Sequence, residues 1–145
     1  MATVLVYGTL KRGERNHSRL AAATFLGPAM TRDFSFTLAE YASVSRPGAR
    51  TPEAAAGGTH RISGELYTVP PELLAELDAF ERVGIDYQRQ AVPLRGGGMA
   101  EIYLRATAAT RPALVPAHHL LIRDAVASWS ERLLLDRRAP PGEFA

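Results

Sequence analysis

The stretch Gln88-Arg89-Gln90-Ala91-Val92-Pro93-Leu94-Arg95-Gly96-Gly97-Gly98-Met99-Ala100-Glu101-Ile102-Tyr103-Leu104-Arg105-Ala106-Thr107 reads as two strands, Gln88 to Leu94 and Ala100 to Thr107, around a glycine turn. Glycine reaches the positive φ that tight hairpin turns demand, so Gly96-Gly97-Gly98 needs no bound phosphate to explain it. A hairpin makes neighbouring strands antiparallel, which argues against a doubly wound parallel sheet. Upstream, Ile62 to Val69 reads as another strand, and Pro70-Pro71 opens a helix predicted to run to about Arg82, because proline is tolerated in a first helical turn.

Further out the elements alternate irregularly. Thr3 to Tyr7 is a short β-branched and aromatic run, a buried strand stopped at Gly8 by a residue tolerant of unusual backbone angles. Asn16 stands where an N-cap belongs, ahead of a short helix through Arg19 to Ala23 that closes at Phe25 to Pro28. Thr31 to Tyr41 alternates around Phe34, Phe36 and Leu38 as a half-buried strand does. Ser45 to Thr59 carries Pro47, Gly48, Pro52, an alanine run and Gly57-Gly58, and reads as a long exposed loop. Toward the C-terminus Leu120, Leu121, Val126, Trp129, Leu133 and Leu134 recur as on an amphipathic helix over about 117–135, followed by a proline-containing tail that frays. The class expected is α+β, a small mixed sheet or partial barrel with flanking helices. A length of 145 residues with 46% hydrophobic content supports one domain over 1–145.

Composition narrows the chemistry. With no Cys, disulfide frameworks, thiolate nucleophiles and cysteine-rich zinc sites are all excluded, in keeping with a cytoplasmic protein. The formal charge is only +2 and the arginines are scattered among acids, so nucleic-acid binding is not expected. The first residues lack the basic and long apolar regions of a signal peptide. No stretch approaches the roughly 18 uninterrupted apolar residues of a membrane helix, so no membrane partner is expected. His118-His119 point about 100° apart on a helix and have no partner at i+4, which leaves no metal site. No Ser stands in a Gly-x-Ser-x-Gly elbow.

One carboxylate stands out on the helix Pro71 to Arg82. Drawn at about 100° per residue, Leu73, Leu74, Leu77 and Phe80 share one arc, while Glu72, Glu76, Asp78 and Arg82 fall outside it. Glu81 falls inside. A carboxylate among leucines loses hydration, which disfavours its charged form and suits it to general acid and base work. The same position also suits a helix that has begun to fray there, a cap on nearby backbone or a pair with an arginine.

These residues also carry a resemblance. Tyr7-Gly8-Thr9-Leu10-Lys11-Arg12-Gly13 with Asn16-His17, then Gly64-Glu65-Leu66-Tyr67, then Leu77-Asp78-Ala79-Phe80-Glu81 with Tyr87-Gln88-Arg89, resemble in the same order the landmarks of the gamma-glutamylcyclotransferase-like superfamily, which includes gamma-glutamylaminecyclotransferases and AIG2-like proteins. The resemblance spans about residues 4 to 105. It implies a small barrel with flanking helices, a cavity floored by the Tyr7 to Leu10 loop, and Glu81 as the catalytic glutamate. Two departures concern substrate choice: Ala42-Ser43-Val44-Ser45-Arg46 stands where many relatives have a proline-containing segment, and Arg82 stands where a glycine is common.

The implied reaction closes a γ-glutamyl group on itself, its α-amine attacking the side-chain carbonyl to give 5-oxoproline and a free amine. No cofactor is required, and the partner is a small γ-glutamyl molecule. Glu81 carries the protons, and the Tyr7, Gly8, Thr9 and Leu10 loop offers backbone N–H groups to the glutamyl carboxylate or the oxyanion. Tyr87 and Tyr103 either line the cavity or serve as core aromatics. Two competing readings stand beside this one. The chain could be a non-catalytic binding domain that keeps the cavity, or Glu65 could be the working carboxylate, since strand alternation puts it on the face of Tyr67 and Val69.

Overall fold

The computed structural model describes residues 1–42, 49–106 and 119–131, together with the backbone of 114–115. Its strands are β1 (Ala2–Val6), β2 (Thr24–Met30), β3 (Phe36–Ala42), β4 (Arg50–Ala56), β5 (Arg61–Val69), β6 (Tyr87–Pro93), β7 (Met99–Arg105), β8 (Leu114–Val115), β9 (Leu120–Arg123) and β10 (Val126–Trp129). One α-helix, α1 (Pro71–Phe80), joins β5 to β6. The strands form a curled, half-barrel sheet in the order β8-β3-β4-β7-β1-β5-β10-β9, with β2 on β5 and β6 on β7 beside that path. Contacts β1–β7, β4–β7 and β10–β5 are parallel and the others antiparallel, so the sheet is mixed. The α+β class expected from the sequence is the class found.

The centre of the sheet explains the apolar run at the N-terminus. Leu5 and Tyr7 point into one core with Phe36, Leu38, Ile62, Ile102 and Trp129, while Val4 and Val6 point into another with Tyr67, Val69, Leu73, Leu77 and Tyr103. A strand buried on both faces has no solvent side and so no polar alternation. Each such Leu or Val contributes on the order of 1.5–3 kcal/mol on burial. The second core is where α1 lies, docked through Leu73 and Leu77 with Leu74 and Phe80 half-buried at its margin.

The end of α1 is built to stop. Arg82 has φ of 55°, in the left-handed region; its N–H donates to the Ala79 carbonyl (3.1 Å), and the Val83 N–H donates to the Asp78 carbonyl (3.0 Å). These are the paired bonds of a Schellman stop, with Glu81 as the last residue before the chain turns. The glycine common at this position in the resembling family is the residue such a conformation favours.

The glycine hairpin is found where it was read: β6 and β7 pair antiparallel from Tyr87↔Arg105 to Pro93↔Met99, with Gly96, Gly97 and Gly98 at φ of 88°, 111° and 83°. Other segments differ from the reading. Residues 120–129 form a β-hairpin, β9 and β10, where an amphipathic helix over 117–135 was expected. Asp124 and Ala125 both have positive φ (54° and 59°), the signature of a two-residue hairpin turn, and Ala127 and Trp129 alternate into the core. The rest of that expected helix and the tail lie outside the described residues. The presumed loop Ser45 to Thr59 contains β4, a strand between β3 and β7 with Pro52, Glu53 and Ala54 buried, while 43–48 lie outside the described residues. The short helix after Asn16 is only a 3-10 turn at His17–Leu20, followed directly by β2, and β3 starts at Phe36, leaving Phe34 exposed.

Candidate active site

The turn after β1 is held from three sides. The Tyr7 hydroxyl donates to the Tyr103 carbonyl (2.7 Å) and accepts the Ala54 N–H (3.0 Å), tying the strand's end to β7 and β4. Gly8 does not occupy the left-handed region; a Cβ there would lie 2.6 Å from Cγ of Pro52, so glycine is required by close packing against a rigid ring rather than by backbone angle. Gly64 on β5 plays the same part from behind, since its Cβ would meet the Val6 carbonyl oxygen at 2.1 Å.

Beyond Gly8 the loop folds on itself. Lys11 N–H donates to the Gly8 carbonyl (3.1 Å), Asn16 N–H to the Thr9 carbonyl (2.9 Å), and the Asn16 side chain to Thr9 Oγ1 (3.0 Å). Asn16 is thus a loop brace rather than a helix cap. His17 Nδ1 sits 2.9 Å from the Leu10 carbonyl. The loop's carbonyls are therefore committed, while the N–H groups of Gly8, Thr9 and Leu10 meet no acceptor among the described residues.

Glu65 has a structural task. Its Oε1 accepts the Arg12 N–H (2.8 Å) and the Tyr67 hydroxyl (3.1 Å), fastening the loop to β5. Burial, with the Glu65 charge and hydrogen bond adding to it, raises the pKa of Tyr67 well above the ordinary tyrosine value. Glu65 does share a face with Tyr67, as strand alternation required, but it does not line the cavity described next.

A cavity of about 600 Å³ opens between this turn and the end of α1. All six residues singled out from the sequence, Tyr7, Gly8, Thr9, Leu10, Glu81 and Tyr87, line it. Glu81 is half-buried at the helix terminus rather than sealed among leucines, because α1 ends one residue before it. Tyr103 lines the cavity as well.

Sequence reading overlooked part of the wall. Arg15 reaches in from the loop, bonded to the Arg50 carbonyl (3.0 Å) and paired with Glu131; Glu53 enters from β4, only 4% exposed. Glu53 was hidden by taking its segment for a loop. Asp78, set aside as outside the apolar arc, anchors a network instead. Arg89 grips both its oxygens (2.9 and 3.1 Å) and also pairs with Glu101, and the Tyr103 hydroxyl donates to Asp78 Oδ1 (2.7 Å). Burial first, then the Asp78 hydrogen bond and the charges of Asp78 and Glu81, push the Tyr103 pKa far above the usual tyrosine range. The one visible signal was spacing, since Asp78 lies three residues before Glu81, in the last turn of the helix that Glu81 caps.

This arrangement can be set beside known proteins. Residues 4–125 match the family model described as gamma-glutamyl cyclotransferase, AIG2-like. The chain belongs to that family. The chain is 34% identical over 135 residues to the gamma-glutamylaminecyclotransferase of Rattus norvegicus, covering 81% of this chain and 87% of the relative. It is 35% identical over 89 residues to a putative gamma-glutamylcyclotransferase of Vibrio cholerae, covering 61% of this chain and 70% of that one. A crystal structure of an aig2-like protein from Mus musculus superposes with a TM-score of 0.62 at 30% identity, over 75% of this chain and 80% of that one. The protein is thus an enzyme of the gamma-glutamylcyclotransferase type, and among its described residues no helix is long and apolar enough to cross a membrane.

Proposed function

We propose that the protein cleaves a γ-glutamyl amide by attack of the α-amine on the side-chain carbonyl, releasing 5-oxoproline and a free amine, with Glu81 moving the protons. The observation that carries this reading is that Glu81 and the Tyr7 to Leu10 turn line one cavity, of a size suited to a small ligand. Nucleophile and electrophile belong to one molecule, so the main task is to hold a folded glutamyl chain, where orientation is worth up to about 7–11 kcal/mol. The N–H groups of Gly8, Thr9 and Leu10 are the donors for the glutamyl carboxylate or the developing oxyanion.

Proton balance then assigns Glu81 its work. It takes a proton from the α-ammonium, freeing the lone pair that attacks, and returns a proton to the departing nitrogen as the amide bond breaks. Tyr87, buried on the wall of the same cavity, shapes the space for the glutamyl chain. An amine is the first leaving group to test, because the rat relative is named for γ-glutamylamines. Phe80 and Arg19, whose guanidinium lies 3.8 Å over the Phe80 ring, form the part of the wall available to that group.

The test is 5-oxoproline release from γ-glutamylamines, γ-glutamyl amino acids, glutathione and a lysine-derived isopeptide, followed by mass spectrometry. Glu81→Gln is expected to lower turnover of the accepted substrate by about 10²–10⁴-fold while still binding it. Binding without release across the whole panel by the unaltered protein would leave the binding-domain reading in its place.

A further inference from the structure

Tyr7 and Tyr103 both line the cavity, and each hydroxyl spends its proton within the protein. Tyr7 spends its proton on a backbone carbonyl and already accepts a backbone N–H. Tyr103 spends its proton on Asp78, and that direction is forced: an Arg-paired carboxylate has no hydrogen to give, so the phenol must be the donor. Toward any other partner the Tyr103 oxygen therefore has only lone pairs to offer. It is an acceptor on the wall of a cavity whose ligand, on the reading above, enters carrying an ammonium group.

We propose that Tyr103 is a substrate-binding residue whose hydroxyl oxygen accepts a hydrogen bond from the α-ammonium of the γ-glutamyl group, and that Asp78 is the positioning residue that fixes it as an acceptor. The proposal rests on the cyclotransferase reading and adds a recognition element for the free α-amine. Asp78 in the last turn of α1 and Glu81 at its C-cap are three residues apart, so one helix terminus places both the carboxylate that orients Tyr103 and the carboxylate that removes the proton. Glu81 and Tyr103 line the same cavity, so acceptor and base face one bound ligand. Arg89 and its second partner Glu101 keep Asp78 from turning away.

The test compares a γ-glutamyl-n-butylamide with its deamino counterpart, N-butylglutaramic acid, which cannot cyclise and serves as a competitive inhibitor. In Tyr103→Phe, kcat/KM for the amide is expected to fall about 10- to 100-fold, the range for a hydrogen bond to a charged group, while the inhibitor's Ki stays within about twofold. Asp78→Asn, nearly isosteric, is the second arm. Its amide can donate to the phenol and release the phenolic proton toward the cavity, so it is expected to show the same selective loss for the amine-bearing compound. A parallel weakening of both compounds, or no change in either, would overturn the assignment. If the unaltered protein releases no 5-oxoproline, the cyclotransferase reading falls by itself. The same comparison is then read as Kd by calorimetry, with Tyr103 judged on that ratio.

Discussion

The cavity has two walls held by different physics. The wall made by the end of β1 is fixed by backbone: Tyr7 bonds main-chain groups of β4 and β7, and Gly8 and Gly64 let Pro52 and Val6 come closer than any side chain allows. The wall made by the end of α1 is fixed by side-chain charge, with Asp78, Arg89, Glu101 and Tyr103 in one network and a helix stop immediately beyond. Backbone packing has one solution and little tolerance. Charged side chains on a helix terminus can be retuned residue by residue. The cavity thus sets a rigid wall opposite one whose side chains can vary.

The contrast can be broken most severely at Gly64. Gly64→Ala places a methyl on the Val6 carbonyl, where no flexible group can yield, and is expected to cost about 3 kcal/mol or more, read as a drop in denaturation midpoint. A near-neutral result would mean the β1 wall is softer than its geometry implies. Tyr7→Phe is expected to cost about 2 kcal/mol, because a buried N–H at Ala54 and the Tyr103 carbonyl both lose their partner. Unlike Tyr103→Phe, it should leave the ratio between the amino and deamino compounds unchanged, and a shift in that ratio would erase the distinction between the hydroxyls. The smallest effect should come from Arg82→Gly, expected to stabilise by about 0.5–1 kcal/mol. The left-handed backbone favours glycine, and the exposed Arg82–Asp86 pair given up is worth little. A lower melting temperature in that variant would show that the arginine side chain contributes more than its backbone costs.

Local chemistry made much of this molecule legible before any coordinates. The glycine hairpin, the strand at Thr3 to Tyr7 and the helix from Pro71 follow from residues that act on their immediate neighbours, so reading along the chain suffices. The C-terminal hairpin was misread for a definite reason. Its turn is Asp124-Ala125 rather than Asn-Gly or Asp-Gly, and without that marker two short period-2 segments imitate one helical stripe. Strand β4 was misread because alanines and a proline are poor strand formers. They are strand here because their backbone pairs with β3 along its whole length and with β7 on the other side.

The sequence by itself determined the strand that leads into the Tyr7 turn, the helix from Pro71, the family, and which acidic residue sits at the end of α1. The tertiary structure alone decided what each polar group faces. Glu65 became a loop fastener, Glu53 a cavity wall, and Asp78 the partner that turns Tyr103 into an acceptor. The reason is that hydrogen-bond direction and cavity membership depend on groups far apart in the chain, such as Asp78 with Arg89 and Tyr103, or Tyr7 with Ala54, and no local pattern encodes such a meeting.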